Sequence, residues 1–151
     1  MTGPLAAADL LVVLDTNALL PLLVGKTRRA LFLRQAWQDR RFILAVTPLI
    51  TEELTRVMHY PDVLRKLALT PTDVDEALTN LHQRACNLPG IYEGVAAVKA
   101  DISDNVFLAG ALEAGADYLV TQDAHLLNLK YYHGTQIISL DQFARLLWAE
   151  H

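Results

Sequence analysis

Two short apolar runs in this chain lead straight into acid. Leu10-Leu11-Val12-Val13-Leu14 ends at Asp15, and Tyr118-Leu119-Val120-Thr121 is followed, after Gln122, by Asp123. Runs of four to six aliphatic and β-branched residues bounded by polar ones read as buried strands. If the strands are parallel, their carboxyl ends share one rim, where open α/β sheets place their ligands. Two further acids join that rim. Glu53 falls in the second turn of the helix after a strand at 42–46, and Asp104 in the first turn of its own helix.

Carboxylates crowded on one rim repel. Two unit charges ~4 Å apart cost roughly 4 kcal/mol at an effective dielectric of ~20. Helix N-termini return only ~0.3–1 kcal/mol each, so a divalent cation is the simplest remedy. Oxygen ligands without cysteine or clustered histidine favour Mg²⁺ or Mn²⁺ over zinc. Taken singly, an Asp at a strand end ordinarily caps free backbone amides, and Glu53 alone reads as a solvated helix residue like Glu52. Only the joint placement points to a metal, and spacing by itself leaves structural caps as the alternative.

The 151 residues fit one domain, because a chain of that size buries ~70% of its unfolded surface. We read 1–9 as a disordered lead-in and 10–151 as a single domain. A net charge of −4 and a pI of about 5.6 give no global basic signature. That weighs against a pure nucleic-acid-binding module, whose affinity comes from Lys and Arg on phosphates, but not against an enzyme that touches nucleic acid briefly. Cys86 is the only cysteine, which excludes an intrachain disulfide and a Cys-rich zinc site. With neither a signal-peptide pattern nor a transmembrane span, the expectation is a soluble cytoplasmic protein.

The chain alternates strand and helix. After the strand at 10–14, residues 15–26 read as a loop and 27–38 as a helix. The strand at 42–46 precedes Thr47-Pro48, an N-cap with proline at the first helical position, and that helix stops near 59–61. A short helix at 62–66 and a longer one at 70–85 follow. Residues 87–100 are the least legible, with a short strand expected at 95–98. Ser103-Asp104 caps a helix that Gly115 stops. The chain closes with a strand at 118–121, a short helix at 124–129, a strand at 136–139 and an amphipathic helix at 140–149. This predicts a three-layer α/β/α fold around a mainly parallel sheet of four to five strands with right-handed crossovers.

Four segments carry a resemblance that covers nearly the whole chain. Val13-Leu14-Asp15-Thr16-Asn17, the stretch Pro48-Leu49-Ile50-Thr51-Glu52-Glu53-Leu54, Asp101-Ile102-Ser103-Asp104-Asn105 and Gly115-Ala116-Asp117-Tyr118-Leu119-Val120-Thr121-Gln122-Asp123 resemble the PIN-domain nucleases. The branch they are most similar to is the VapC-like toxin component of prokaryotic toxin–antitoxin pairs. The resemblance implies a Mg²⁺- or Mn²⁺-dependent endoribonuclease site, with metal ligation by Asp15, Glu53, Asp104 and Asp123, the last directly or through water. Thr16, Asn17 and Thr121 match positions that order such a site. Asp101 competes with Asp104, which is followed in helical register by Asn105-Val106-Phe107-Leu108. Glu52 competes with Glu53, which directly precedes Leu54. The resemblance further implies a homodimer, an RNA substrate and a small antitoxin partner.

Six of the thirteen Lys and Arg lie between Lys26 and Arg41. Lys26, Arg28 and Arg29, placed beside the rim, are candidates for RNA phosphate contact, against a plain solvated helix face. His125 could reach a phosphate or act as a local cap. Trp37, Phe143 and Trp148 read as core or interface anchors. Ser103 and Ser139 lack a nucleophile-elbow context, and Gly110 to Gly115 lacks the Lys-Ser/Thr of a phosphate loop. A receiver domain would need a Lys after the last strand, and a strand-end Asp phosphatase would need a second Asp where Asn17 stands. The alternative from another class is a catalytically quiet PIN-like interaction protein.

Overall fold

The computed structural model describes residues 10–92 and 102–149, and the side chains of 102–104 lie outside that description. Strands β1 (Leu11–Leu14), β2 (Ile43–Val46), β3 (Cys86–Asn87), β4 (Tyr118–Val120), β5 (Tyr131–Tyr132) and β6 (Thr135–Ile138) form one sheet in the order β3-β2-β1-β4-β6-β5. All neighbours are parallel except β5 on β6. Val12, Val13, Leu44, Leu119 and Val120 are wholly or almost wholly buried, as continuous apolar runs must be when helices cover both faces. The helices are α1 (Thr16–Val24), α2 (Arg28–Gln38), α3 (Pro48–Met58), α4 (Pro61–Lys66), α5 (Pro71–Arg84), α6 (Ile102–Ala114), α7 (Ala124–Leu129) and α8 (Leu140–Ala149). Among the described residues, no helix is long and apolar enough to cross a membrane.

The connections explain where a site can form. From β1 the chain moves outward to β2 and β3, and from β4 it moves the other way to β6. Right-handed crossovers running in opposite directions put their helices on opposite faces. The strand order therefore reverses between β1 and β4, which opens a crevice at their carboxyl ends.

Local signals set the helix starts. Thr27 caps α2 and Thr47 caps α3, with Pro48 in its first turn; Thr70 and Asp73 form a reciprocal capping box on α5. Ser139 accepts from the Gln142 N–H while the Gln142 side chain accepts from Ser139 N–H, closing the same kind of box at α8. Gly115 ends α6 at φ +61°, a left-handed conformation that glycine adopts without strain.

Three elements differ from the sequence expectation. Residues 15–26 are not a loop, because α1 runs through Pro21. The carbonyls near its end are taken by the Arg34 side chain, which donates to Leu22 O at 2.8 Å, Gly25 O at 2.6 Å and Pro21 O at 3.3 Å. The two-residue strands β3 and β5 were also not anticipated, and they bring the sheet to six strands. The lead-in at 1–9, the strand expected at 95–98 and Asp101 lie outside the described residues.

Candidate active site

Asp15 stands at the crevice between β1 and β4. Its backbone N–H bonds Val120 O at 3.0 Å, so it leaves β1 level with the end of β4. Its side chain caps α1 by accepting from Ala18 N–H at 2.9 Å. The other carboxylate oxygen accepts from the Thr121 hydroxyl. Only 4% of Asp15 is exposed, and Thr121 is fully buried. The same hydroxyl oxygen accepts from Asp123 N–H at 2.9 Å. Thr121 is thus a one-residue relay that fixes the two strand-end acids relative to each other.

Asp123 caps α7, accepting from His125 N–H at 2.8 Å. On the other side, the Thr16 hydroxyl donates to Glu53 Oε2 at 3.4 Å. Glu53 Oε1 is held at 2.7 Å by Arg56, one helical turn on, and Arg56 also donates to the Tyr60 hydroxyl at 2.8 Å. Asn17 is exposed on the first turn of α1, while Thr16 is buried. Asp104 lies in the first turn of α6 by its backbone, and its side chain is outside the described residues. Its neighbour Asn105 is buried.

Electrostatics set Asp15 apart. Burial pushes its carboxyl above the ordinary Asp value. Hydrogen bonds from Thr121 and from the Ala18 and Gln122 backbone pull the other way, and the charge on Asp123 raises it further. A buried carboxylate that feels a second carboxylate is the arrangement a cation relieves. The available donors are all hard oxygens, which suits Mg²⁺ or Mn²⁺ on donor chemistry. The described residues alone do not complete such a site, because no group of three or more His, Cys, Asp or Glu side chains among them is arranged to hold a metal ion.

The basic candidates divide. Lys26 lines a cavity with Asp73 and Glu76 beside α5, whereas Arg28 and Arg29 line a groove against α8. Arg29 approaches Asp141 at 4.0 Å. Of the residues read as core or interface anchors, Trp37 and Phe143 are in the core and Trp148 is 65% exposed. Sequence reasoning passed over Arg56 and Gln122. Arg56 follows Glu53 by three residues, a spacing that puts both on one helix face. Gln122 accepts from Leu140 N–H at 3.4 Å and so ties the segment before Asp123 to the start of α8; nothing in its sequence position signals that.

Comparison with known proteins bears on this geometry. A family model described as PIN domain matches residues 11–125. Among solved structures, the chain is similar to that reported as the crystal structure of PAE2754 from Pyrobaculum aerophilum, with a TM-score of 0.62 over 94% of this chain and 91% of that one. The two are 21% identical, so the likeness speaks for the fold alone. No curated protein matches the chain in sequence.

Proposed function

Because the chain belongs to the PIN domain family, whose members are generally nucleases, we propose that it is a divalent-metal-dependent endoribonuclease. We further propose that it acts as the toxin of a toxin–antitoxin pair, in the cytoplasm, as a homodimer restrained by a small antitoxin protein. The observation that carries the catalytic reading is the buried Asp15 carboxylate, joined to Asp123 through Thr121 at the sheet's switch point.

In this reading Asp15, Glu53, Asp104 and Asp123 hold Mg²⁺ or Mn²⁺. A divalent cation, when bound, supplies positive charge against the scissile phosphate and a water acidic enough to attack near neutral pH. The protein's own residues position the parts. Thr121 fixes which way the Asp15 oxygens face, and Thr16 does the same for Glu53. In this reading Asn17, exposed on the first turn of α1, helps to order the site. No side-chain nucleophile is needed.

A second reading, a catalytically quiet interaction protein, draws support from the ion pair that already occupies Glu53. Cleavage of structured RNA with added Mn²⁺ separates the two. Wild type should cleave and Asp15→Asn should not. Equal cleavage by both assigns the activity to a contaminant, and none by either favours the quiet protein. Growth arrest on expression, relieved by a small protein encoded next to this gene, tests the toxin role separately.

A further inference from the structure

Between α2 and α8 lies a groove of about 260 Å³, lined by Arg28, Arg29, Phe32, Ala144, Arg145 and Trp148. Its floor is apolar and its rim is cationic. Phe32 and Trp148 meet edge to face with ring centroids 5.3 Å apart, and the Arg41 guanidinium lies over the Phe32 ring at 5.8 Å. Arg41 is itself anchored on the Leu147 carbonyl. The Phe32 ring thus meets both a cation and an indole, and Trp148 keeps 65% of its surface in solvent.

We propose that this groove is a binding site for single-stranded RNA, seating one unpaired base against Trp148 with the flanking phosphates on Arg28 and Arg145. The proposal rests on the ribonuclease reading for its choice of ligand. It concerns a different surface from the carboxylate crevice.

Three observations carry it. The first is charge. Among the described residues, Arg28, Arg29 and Arg145 face a single acid, Asp141, which pairs with Arg145 at 2.9 Å and Arg29 at 4.0 Å. This local cationic excess sits on a chain whose net charge is −4. The second is the pairing of side chains. An exposed indole beside guanidinium groups is what sequence-tolerant single-strand binding uses, stacking on the base and neutralising the backbone. The volume falls just below the ~300–1,000 Å³ of small-molecule sites, so it suits one planar ring better than a whole cofactor.

The third is continuity with the rim. Asp141, Arg145 and Trp148 recur at i, i+4 and i+7 and form one stripe along α8. The helix begins where Leu140 N–H meets the Gln122 side chain, one residue from Asp123. At 1.5 Å per residue, Trp148 lies only ~12 Å along the helix axis from that point. In the proposal, a strand leaving the crevice beside Gln122 passes along α8 onto this stripe. An amphipathic acidic peptide would meet the same apolar floor and cations, but nothing in its chemistry requires that continuity.

The test uses the full chain in EDTA with a fluorescein-labelled single-stranded 12-mer RNA, read by anisotropy, with Mn²⁺-dependent cleavage measured separately. Trp148→Ala should weaken binding roughly tenfold, given the cost of losing one stacked base, and Trp148→Phe should recover part of it. Arg145→Gln should flatten the salt dependence, by about 0.7 in the slope of log K against log salt for each single-strand phosphate that the protein no longer neutralises. Intrinsic tryptophan fluorescence should quench on RNA addition in wild type. In Trp148→Ala the buried Trp37 provides the unresponsive control.

Equal RNA affinity in wild type and Trp148→Ala overturns the proposal, as does a wild type that fails to bind the oligonucleotide. Polyglutamate binding with the same Trp148 dependence and comparable affinity overturns it in favour of an acidic protein partner. The two readings fail separately. Cleavage with no Trp148 effect on KM leaves the nuclease intact and removes the groove. Trp148-dependent binding without cleavage in Mn²⁺ does the reverse.

Discussion

Replacing Thr121 by valine removes one oxygen atom from the centre of the site and almost nothing else. Valine has the same β-branched shape, so no cavity opens at this fully buried position. Two interactions go with the hydroxyl: its donation to the Asp15 carboxylate and its acceptance from Asp123 N–H at 2.9 Å. A hydrogen bond to a charged group contributes ~1.5–3 kcal/mol, and a desolvated donor left unmatched costs ~1–3 kcal/mol. The Asp123 amide is only part-buried, so its share falls at the low end, and the sum is about 2–4 kcal/mol. At ~2–4 °C per kcal/mol for a domain of this size, Tm should fall by roughly 5–15 °C. Thr121→Ser keeps the oxygen and removes a methyl, at about 1 kcal/mol. Urea unfolding of the three proteins at pH 7 checks the order wild type, Ser, Val. The pH dependence gives an independent check. The Thr121 bond lowers the Asp15 pKa by favouring its ionised form, so its contribution is present while Asp15 is charged and fades as pH falls through that titration. The deficit of Thr121→Val should therefore be larger at pH 7 than at pH 4. If serine costs as much as valine, methyl packing holds the site and the hydroxyl relay does not.

Asp15→Asn should stabilise the metal-free protein while ending catalysis. The folded pKa of Asp15 is raised above the ordinary Asp value, so the folded state binds the proton more tightly. Stability from this group is then full below the unfolded pKa and falls as pH rises through the raised folded value. Asparagine carries no charge to desolvate and is as good an N-cap; its amide nitrogen cannot accept from the Thr121 hydroxyl as the carboxylate does, so the gain is what remains of the burial penalty once that bond is lost. Its urea midpoint in EDTA should exceed that of wild type at pH 7, with the gap closing toward pH 4, whereas Mn²⁺ should raise the midpoint of wild type only. Gly25→Ala should destabilise by ~1–3 kcal/mol through overpacking, because its Cβ would sit 2.6 Å from Pro21 O and 2.7 Å from Ala30 Cβ. An unchanged Tm would show that the α1–α2 joint relaxes more easily than its geometry implies.

What could be read in advance was whatever one stretch of chain specifies by itself. The strand-and-acid junctions at Asp15 and Asp123, the cap Thr47 and the stop at Gly115 are local chemistry, and the structure has them where the residues put them. Most of what escaped depends on partners outside the local stretch, and one hairpin on a turn with an unusual residue. Helix α1 contains Pro21, an ordinary breaker, and its end is held by Arg34 from the next helix. Strand β3 has two exposed residues and exists because Leu88 N–H reaches Val46 O at 2.8 Å. The β5–β6 hairpin turns through His133 at φ +47° and Gly134 at φ +91°. Such a turn is easily recognised as Asn-Gly, but histidine at the first position hides it. The positions of Asp15 and Asp123 at the ends of β1 and β4 were legible from the apolar runs before them. The hydroxyl that joins them was named in advance only through the family resemblance, as a position that orders such a site; its bond to Asp15 was not readable from spacing.

That joining hydroxyl changes what the rim is. Four mutually exposed carboxylates would be a surface charge cluster, softened by water and salt. Here one acid is buried at 4% exposure and fixed from three directions, while Asp123 and Glu53 are half-buried, Asp123 held by the Thr121 hydroxyl and the His125 N–H and Glu53 by Thr16 and Arg56. The asymmetry assigns unequal work. Asp15 is desolvated, so its charge acts across a low-dielectric path and its energy responds most to an arriving cation. Glu53 is already paired with Arg56, so a metal held there, as proposed, would have to displace or share that partner. If the rim takes a cation, as the metal-dependent reading proposes, its deepest carboxylate is the one already fixed in place, and the first test of that reading belongs at Asp15.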